Sequence, residues 1–312
     1  MTILVTTPNG SVGRYVTEAL RARDDVRFLV RSAAGAEALG AVRGEVVRGD
    51  AADPDAVRRA VAGVRRLYLA HPFAADQAAV ETGIALAALD AGAHRVVKLG
   101  ARPFTKPGMV PDPVTGVHDT VTARLRDAGV PELTVLRPDR FLQNFLPAAA
   151  ALAAGTLADP GGADAARGYV DTRDIAEVAV AELLADRPVG GDLDVSGPEA
   201  LTPGDLAERF AAALGREVRF VDVPLDAAWR AGLADRGVPA WHVEGLYGLY
   251  ANYRREGTTG LGDGVQRVLG RAPRSAAEFA ADLLAPAVGV PRPLPQRGHP
   301  HFTVSRGGPR TS

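Results

Sequence analysis

The stretch Thr2-Ile3-Leu4-Val5-Thr6-Thr7-Pro8-Asn9-Gly10-Ser11-Val12-Gly13 constrains the fold more than any other in this chain. An apolar run that predicts a buried strand passes into a tight glycine turn and then into the start of a helix. Glycines let a backbone approach a pyrophosphate closely. The helix N-terminus then offers it free N–H groups and a partial positive charge. Thr7, Asn9, Gly10, Ser11, Val12 and Gly13 are therefore the candidate phosphate-binding corner of a dinucleotide fold. Thr7 stands where the usual pattern has its first glycine, and an ordinary strand–turn–helix connection has the same outline.

A second apolar run, Val26-Arg27-Phe28-Leu29-Val30, ends in Arg31-Ser32, eighteen residues after Gly13. An NAD site usually has Asp or Glu near this point, bonded to the ribose hydroxyls. Here the residue is Arg31. Its charge and forked donors suit the 2′-phosphate of NADP, and Arg14 is a possible helper from the helix start. The chain holds only two lysines, Lys98 and Lys106, so arginine is its default cation. A plain surface arginine is the competing reading. The spacing favours NADP(H) over NAD(H).

Strands and helices alternate onward. Strands are expected at 43–48, 65–70, 94–99 and 133–136, and helices at 54–62, 75–91 and 114–128. This predicts an α/β fold, a Rossmann-type, doubly wound parallel sheet with helices on both faces. Ligands of such sheets sit beyond the carboxyl ends of the strands. Those ends carry Thr7, Arg31, Asp50, Ala70-His71, Gly100 and Pro138. Later, helices are expected at 139–154, 172–184, 202–214, 225–234, 241–255 and 275–284, with short strands at 168–170, 192–195 and 218–223. Residues 1–140, with returning segments near 168–196, would form the nucleotide-binding domain. Residues 141–285 would supply a smaller α+β substrate lobe. From Pro286 the chain is rich in proline, glycine and arginine and predicts an extended or disordered tail.

The 312 residues suffice for a full core. The formal net charge of −1 gives no electrostatic case for nucleic acid or an anionic membrane. No apolar run reaches the ~18 residues of a membrane span. With no cysteine, thiol catalysis and thiolate metal sites are excluded, and a cytoplasmic location is the natural expectation. The six histidines show no metal spacing, and His299 and His301 are isolated in the tail.

The chain resembles the NmrA-like group of atypical short-chain dehydrogenase/reductases, close to NADPH-dependent quinone and azo-compound reductases. The likeness covers about residues 1–285. It rests on Asn9-Gly10-Ser11-Val12-Gly13, Arg31, Gly49-Asp50, Leu136-Arg137-Pro138, Phe141, Gln143-Asn144 and Asp171-Thr172-Arg173-Asp174-Ile175-Ala176. It implies a Rossmann domain and a substrate lobe with the cofactor in the cleft between them. The larger superfamily uses a tyrosine and a lysine four residues apart, the ammonium lowering the tyrosine pKa. No tyrosine here has lysine at that spacing. Tyr169 and Tyr250 have Arg173 and Arg254 there, but not where the superfamily places its pair. The serine often found after the fifth strand is also missing, at Gly100-Ala101.

The resemblance makes His118 the candidate catalytic residue, because its counterpart in similar reductases lines the nicotinamide pocket. A glutamate often follows four residues later; here it is Thr122. A helix-face histidine in contact with water is the equal alternative. Lys98 reaches the cofactor ribose if it faces the cleft. Asp50 is a candidate adenine-end contact or else a turn aspartate. Gly100, Phe141 and Asn144 are candidate substrate-pocket residues, with Phe141 as readily core. Trp229, Trp241, Tyr247, Tyr250 and Tyr253 would serve as core first, and otherwise as a pocket for a flat substrate or a homodimer surface.

The leading expectation is an NADPH-dependent oxidoreductase passing hydride directly to a quinone, azo compound or enone, with no flavin and no metal. A non-catalytic NADP(H) redox sensor with a protein partner is the alternative, and a non-redox biosynthetic enzyme using the same pocket is the third.

Overall fold

The computed structural model describes residues 2–289. Nearly all of the expected tail, with His299 and His301, lies outside the described residues. The first half alternates as the periodicity predicts. Its elements are β1 (Thr2–Val5), α1 (Gly13–Leu20), β2 (Val26–Val30), α2 (Ala33–Leu39), β3 (Glu45–Arg48), α3 (Pro54–Val61), β4 (Val64–Leu69), α4 (Gln77–Asp90), β5 (Arg95–Leu99), α5 (Pro113–Asp127) and β6 (Glu132–Pro138). After them come α6 (Ala149–Ala153), β7 (Thr156–Asp159), α7 (Thr172–Leu184), β8 (Gly191–Val195), α8 (Pro203–Leu214) and β9 (Arg219–Asp222). The last helices are α9 (Ala227–Ala234), α10 (Ala240–Glu256), α11 (Gly264–Leu269) and α12 (Ala276–Phe279).

The main sheet has seven strands in the order β3-β2-β1-β4-β5-β6-β8. Every pair is parallel, with Val5 opposite Phe28 on one side and Tyr68 on the other. Strand order reverses at β1, so the crevice beyond β1 and β4 is the topological switch point where such sheets take ligands. Alternate strand residues feed two cores. Ile3, Val5, Phe28 and Val97 pack against Val16 and Leu20 of α1 and Ile175 and Val178 of α7. Leu4, Leu29, Leu67 and Val96 pack against Val57 of α3, Ile84 of α4 and Val121 and Leu125 of α5. A third core gathers Phe145, Leu157, Tyr169, Phe210, Leu214 and Phe279 beside a two-stranded parallel sheet of β7 and β9.

The expected helix at 139–154 does not begin at Asp139. Asp139 N donates to the Val195 carbonyl, and Val170 N and Leu142 N exchange bonds with Arg140 and Val170 at 2.9 Å, which keeps residues 139–142 extended. A 3₁₀ helix, Leu142–Ala148, follows and contains Pro147, which has no N–H to give an α-helical ladder. The expected strand at 168–170 reduces to isolated bridges, Phe141 with Val170 and Arg167 with Leu201. The helix from Ser275 has the expected capping box with Glu278, but widens into π-helical turns over Ala280–Leu284 and runs on to Ala287. Helices α2 and α11 and strand β7 carry no strong period. They are held by a cap, as Ser32 holds α2, or by a neighbouring element.

Phe210 is fully buried and touches both Phe145 and Phe279, at ring separations of 5.7 and 6.1 Å. Phe210→Ala should cost about 3–5 kcal/mol by chemical denaturation. A loss under about 1 kcal/mol would show that this third core collapses around the missing ring.

Candidate active site

Two cavities lie along the carboxyl edge of the main sheet. The larger, about 670 Å³, covers the ends of β1 to β4 and is lined by Thr7, Asn9, Gly10, Arg31, Asp50 and His71, with Ser32 and Phe73 beside them. Its geometry depends on Gly13. A Cβ there would lie 1.8 Å from the Thr7 carbonyl oxygen, so α1 can approach the end of β1 this closely only with glycine at that point. No side chain caps α1. The N–H groups of Ser11 and Val12 have no acceptor among the described residues, since Gly10 N bonds Thr7 and Arg14 N bonds Gly10. An anion can satisfy them. Asn9 Nδ2 donates to the Gly35 carbonyl at 2.7 Å and so joins the phosphate corner to α2.

Arg31 is exposed on the wall of this cavity, and its guanidinium has no ion-pair partner among the described residues. Asp50 is exposed there too. One carboxylate oxygen accepts from Ala52 N at 2.9 Å, so Asp50 both shapes the turn and faces the cavity. Arg14 instead lies over the Tyr15 ring, 4.7 Å from its centre. Ala70 is buried, and its backbone is bound at both ends by the Thr6 hydroxyl, at 2.7 and 2.9 Å. These residues fit a dinucleotide phosphorylated on its ribose: a glycine cradle, unpaired N–H groups at a helix start, and a free guanidinium at the end of β2.

The smaller cavity, about 230 Å³, covers the ends of β5 and β6. Gly100, Phe141 and Asn144, the candidate substrate-pocket residues, all line it, together with His118, the candidate catalytic residue, and Pro138. Pro138, a candidate cofactor contact, lines this second cavity. Of the C-terminal aromatics, Tyr253 lines it, as do Leu249 and Glu256 of the same helix. Trp241 stacks on His242 and meets Phe73 at a tilt, Trp229 meets Tyr250 edge-on, and Tyr247 lies under Arg230. Sequence reasoning missed Arg102, Arg140 and Arg167, which also reach this cavity. Arginine is common throughout the chain, and nothing in their spacing sets these three apart.

Lys98 does not face the cleft. Its side chain is fully buried, and its ammonium lies 2.6 Å from Glu81 of α4. It also donates to the Leu99 carbonyl at 2.8 Å and lies 3.1 Å from His118 Nδ1. The β5 pleat turns this side chain toward α4 and α5, away from the strand-end crevice. Gln77 Nε2 donates to the other Glu81 oxygen at 3.1 Å. Burial pulls the Lys98 ammonium below the usual amine value, opposed by the Glu81 charge. Burial and then the Lys98 charge push His118 down to about 3. His118 is therefore a neutral imidazole at physiological pH. An ammonium can only donate, so Nδ1 accepts and the proton sits on Nε2. The side-chain partner of His118 is Lys98.

The family model for the NmrA-like family matches residues 1–271, and the chain belongs to that family. It is 31% identical over 284 residues to an NAD(P)H azoreductase of Xenophilus azovorans, covering 89% of this chain and 96% of that protein. It is 33% identical over 285 residues to a (4-alkanoyl-5-oxo-2,5-dihydrofuran-3-yl)methyl phosphate reductase of Streptomyces griseus, covering 90% and 97%. Its fold is shared with an NADPH-dependent quinone oxidoreductase from Escherichia coli solved with NADPH. That likeness has a TM-score of 0.77 at 24% identity and covers 90% of this chain and 99% of that one.

Two outcomes follow from the buried chain of groups. Lys98→Met leaves Glu81 buried and unpaired and should cost about 3–5 kcal/mol, most of it regained in the double variant Lys98→Met/Glu81→Gln. Equal stability of the wild type and Lys98→Met by denaturation would show that the pair is not closed in solution. The native state refuses a proton that the unfolded chain takes up near the ordinary histidine value of 6.5. The His118 contribution to stability is thus complete above that pH and declines as pH falls toward 3. Nitrogen NMR should report the neutral Nε2–H form from about pH 5 to 8, and a doubly protonated ring in that range would overturn this assignment.

Proposed function

We propose that this protein is an NADPH-dependent oxidoreductase that passes hydride directly to a small conjugated acceptor such as a quinone, azo compound or enone. The observation that carries the reading is the adjacency of the two cavities on neighbouring strand ends of one sheet. One has the dimensions and donors for a dinucleotide; the other is smaller and has a neutral histidine in its wall. Relatives covering nearly the whole chain are named as reductases, which supports it.

In this reading Ser11 and Val12 N–H groups hold the pyrophosphate, Gly10 and Gly13 let it approach, and Arg31 pairs with the 2′-phosphate. Asp50 and His71 flank the adenine and ribose ends. The nicotinamide, when bound, supplies the hydride. The walls at Gly100, Pro138, Phe141 and Asn144 hold the acceptor flat and exclude water, so catalysis comes chiefly from holding donor and acceptor at reacting distance. His118 Nε2–H donates a hydrogen bond to the acceptor atom on which charge develops. Lys98 orients that ring. Tyr–Lys acid catalysis is not needed where the acceptor delocalises the charge it receives. Among the described residues no three His, Asp or Glu side chains lie together as a metal site, and no step here uses a metal.

Purified protein should consume NADPH, followed by its absorbance, with at least one member of a quinone, azo and enone panel. Tight NADPH binding with no turnover on any acceptor would replace this reading with the redox-sensor one. Arg31→Asp should weaken NADPH binding about 10- to 100-fold, corresponding to roughly 1.5–3 kcal/mol for a charged hydrogen bond. NADH binding should stay unchanged. Equal loss of both cofactors in a calorimetric titration would remove the 2′-phosphate assignment.

A further inference from the structure

Among the charged side chains that line the smaller cavity, Arg167 has the fewest partners. It is 3% exposed. Its backbone is fixed by two 2.8 Å bonds with Leu201. One guanidinium nitrogen donates to the Tyr253 carbonyl at 2.7 Å, and the guanidinium carbon lies 4.1 Å from the centre of the Tyr253 ring. Nε is buried without a hydrogen-bond partner, and no carboxylate among the described residues lies within ion-pair distance of the group.

The charges around it are already engaged. Arg140 chelates Asp159 at 2.8 and 2.5 Å. Glu256 accepts from the Thr105 hydroxyl and from Thr105 N and Lys106 N. Asp139 accepts from Arg140 N and from the Thr259 hydroxyl, with Arg102 at 3.5 Å. The wall carries three guanidinium groups and two carboxylates, Asp139 and Glu256, while Asp159, outside the lining, pairs with Arg140. With the other charges engaged, what remains is a guanidinium fixed by Tyr253 whose buried Nε–H donor is unmatched. Leaving such donors empty is unfavourable, and charged acceptors match them best. A planar fork held by an aromatic ring is also pre-organised, so little freedom is lost when an acceptor arrives.

We propose that Arg167 is a binding residue for an anionic oxygen group, a carboxylate, sulfonate or phosphate, carried by the conjugated acceptor. This rests on the reductase reading and narrows its substrate class to acidic acceptors. The cavity, about 230 Å³, is smaller than the usual ~300–1,000 Å³ of a ligand pocket and limits the guest to a small ring system.

The test is calorimetric and needs no turnover. Naphthalene-2-carboxylate, naphthalene-2-sulfonate, 2-naphthyl phosphate and neutral 2-naphthamide are titrated into the full chain with and without NADP⁺. At least one anion should bind about tenfold tighter than the amide or better. The tightest of the three identifies the group. In Arg167→Gln that preference should vanish while the amide affinity holds. Equal binding of the anions and the amide by the wild type would overturn the proposal, as would a preference that survives Arg167→Gln. The wild-type comparison decides even where the variant fails to fold. Failure of NADPH consumption would defeat the reductase reading and leave the anion preference standing. Loss of the preference alone would do the reverse.

Discussion

The ion pair between Lys98 and Glu81 ties together the elements on which the smaller cavity depends. Both groups are fully buried, 2.6 Å apart, at the joint of β5 with α4. A buried pair of this kind is weak evidence for net stability, because dehydration offsets most of the attraction. What it does supply is a fixed relation between parts. Glu81 belongs to α4, Lys98 to β5, and His118, the third member, to α5. Any slip of one helix along the sheet would strand a charge. The same ammonium that neutralises Glu81 sets the tautomer of His118 and holds its ring. The setting of the His118 ring and the integrity of the core thus share one side chain, the buried Lys98.

The wall opposite this joint is assembled by α10. Leu249, Tyr253 and Glu256 follow helical spacing and line the smaller cavity together. The same helix holds the long loop between β5 and α5. Asn252 exchanges two bonds with the Val110 backbone at 2.9 and 3.0 Å, and Glu256 accepts from Thr105 and Lys106. That loop begins at Gly100 and supplies Arg102, Pro103 and Phe104 to the cavity. A stretch of this length without secondary structure would otherwise be the least ordered part of the site. Two side chains on one helical face give it a single conformation. In the same region Arg140 lies within cation–π distance of four aromatic rings while chelating Asp159. A buried arginine can be held in this way because its planar cation is weakly hydrated and stacks on rings.

The sequence discloses the parts of the molecule in which local pattern and global fold agree. Runs such as Val26–Val30 are buried on both faces and need no partner to be recognised as parallel strands. Gly13 is legible because only glycine fits against the Thr7 carbonyl. Arg31 is legible because it closes a strand at a fixed distance from that glycine. Where tertiary contacts decide, the sequence is silent. Residues 139–142 have helical composition but stay extended because Val195 and Val170 claim their backbone groups. Thr156–Asp159 becomes a strand only because Arg219–Asp222 lies alongside it. Lys98 lies near the end of a strand like any cleft residue, and only the pleat of β5 and the presence of Glu81 turn it inward. Arg167 is one of many arginines until its missing partner is seen.

The absence of a tyrosine–lysine pair takes on a different meaning beside this geometry. An acidic tyrosine is needed where a carbonyl must be protonated as hydride arrives, since an isolated alkoxide is too basic to leave unprotonated. A quinone or enone spreads the arriving charge over its conjugated system, and a neutral hydrogen-bond donor is enough to favour it. A histidine that stays neutral down to about pH 3, with its proton on Nε2, is such a donor at every physiological pH. The buried Lys98, meanwhile, is committed to a glutamate and a histidine inside the core. In the proposed reading a fixed dipole takes the place of an acid, an arrangement suited to acceptors that do not need the acid.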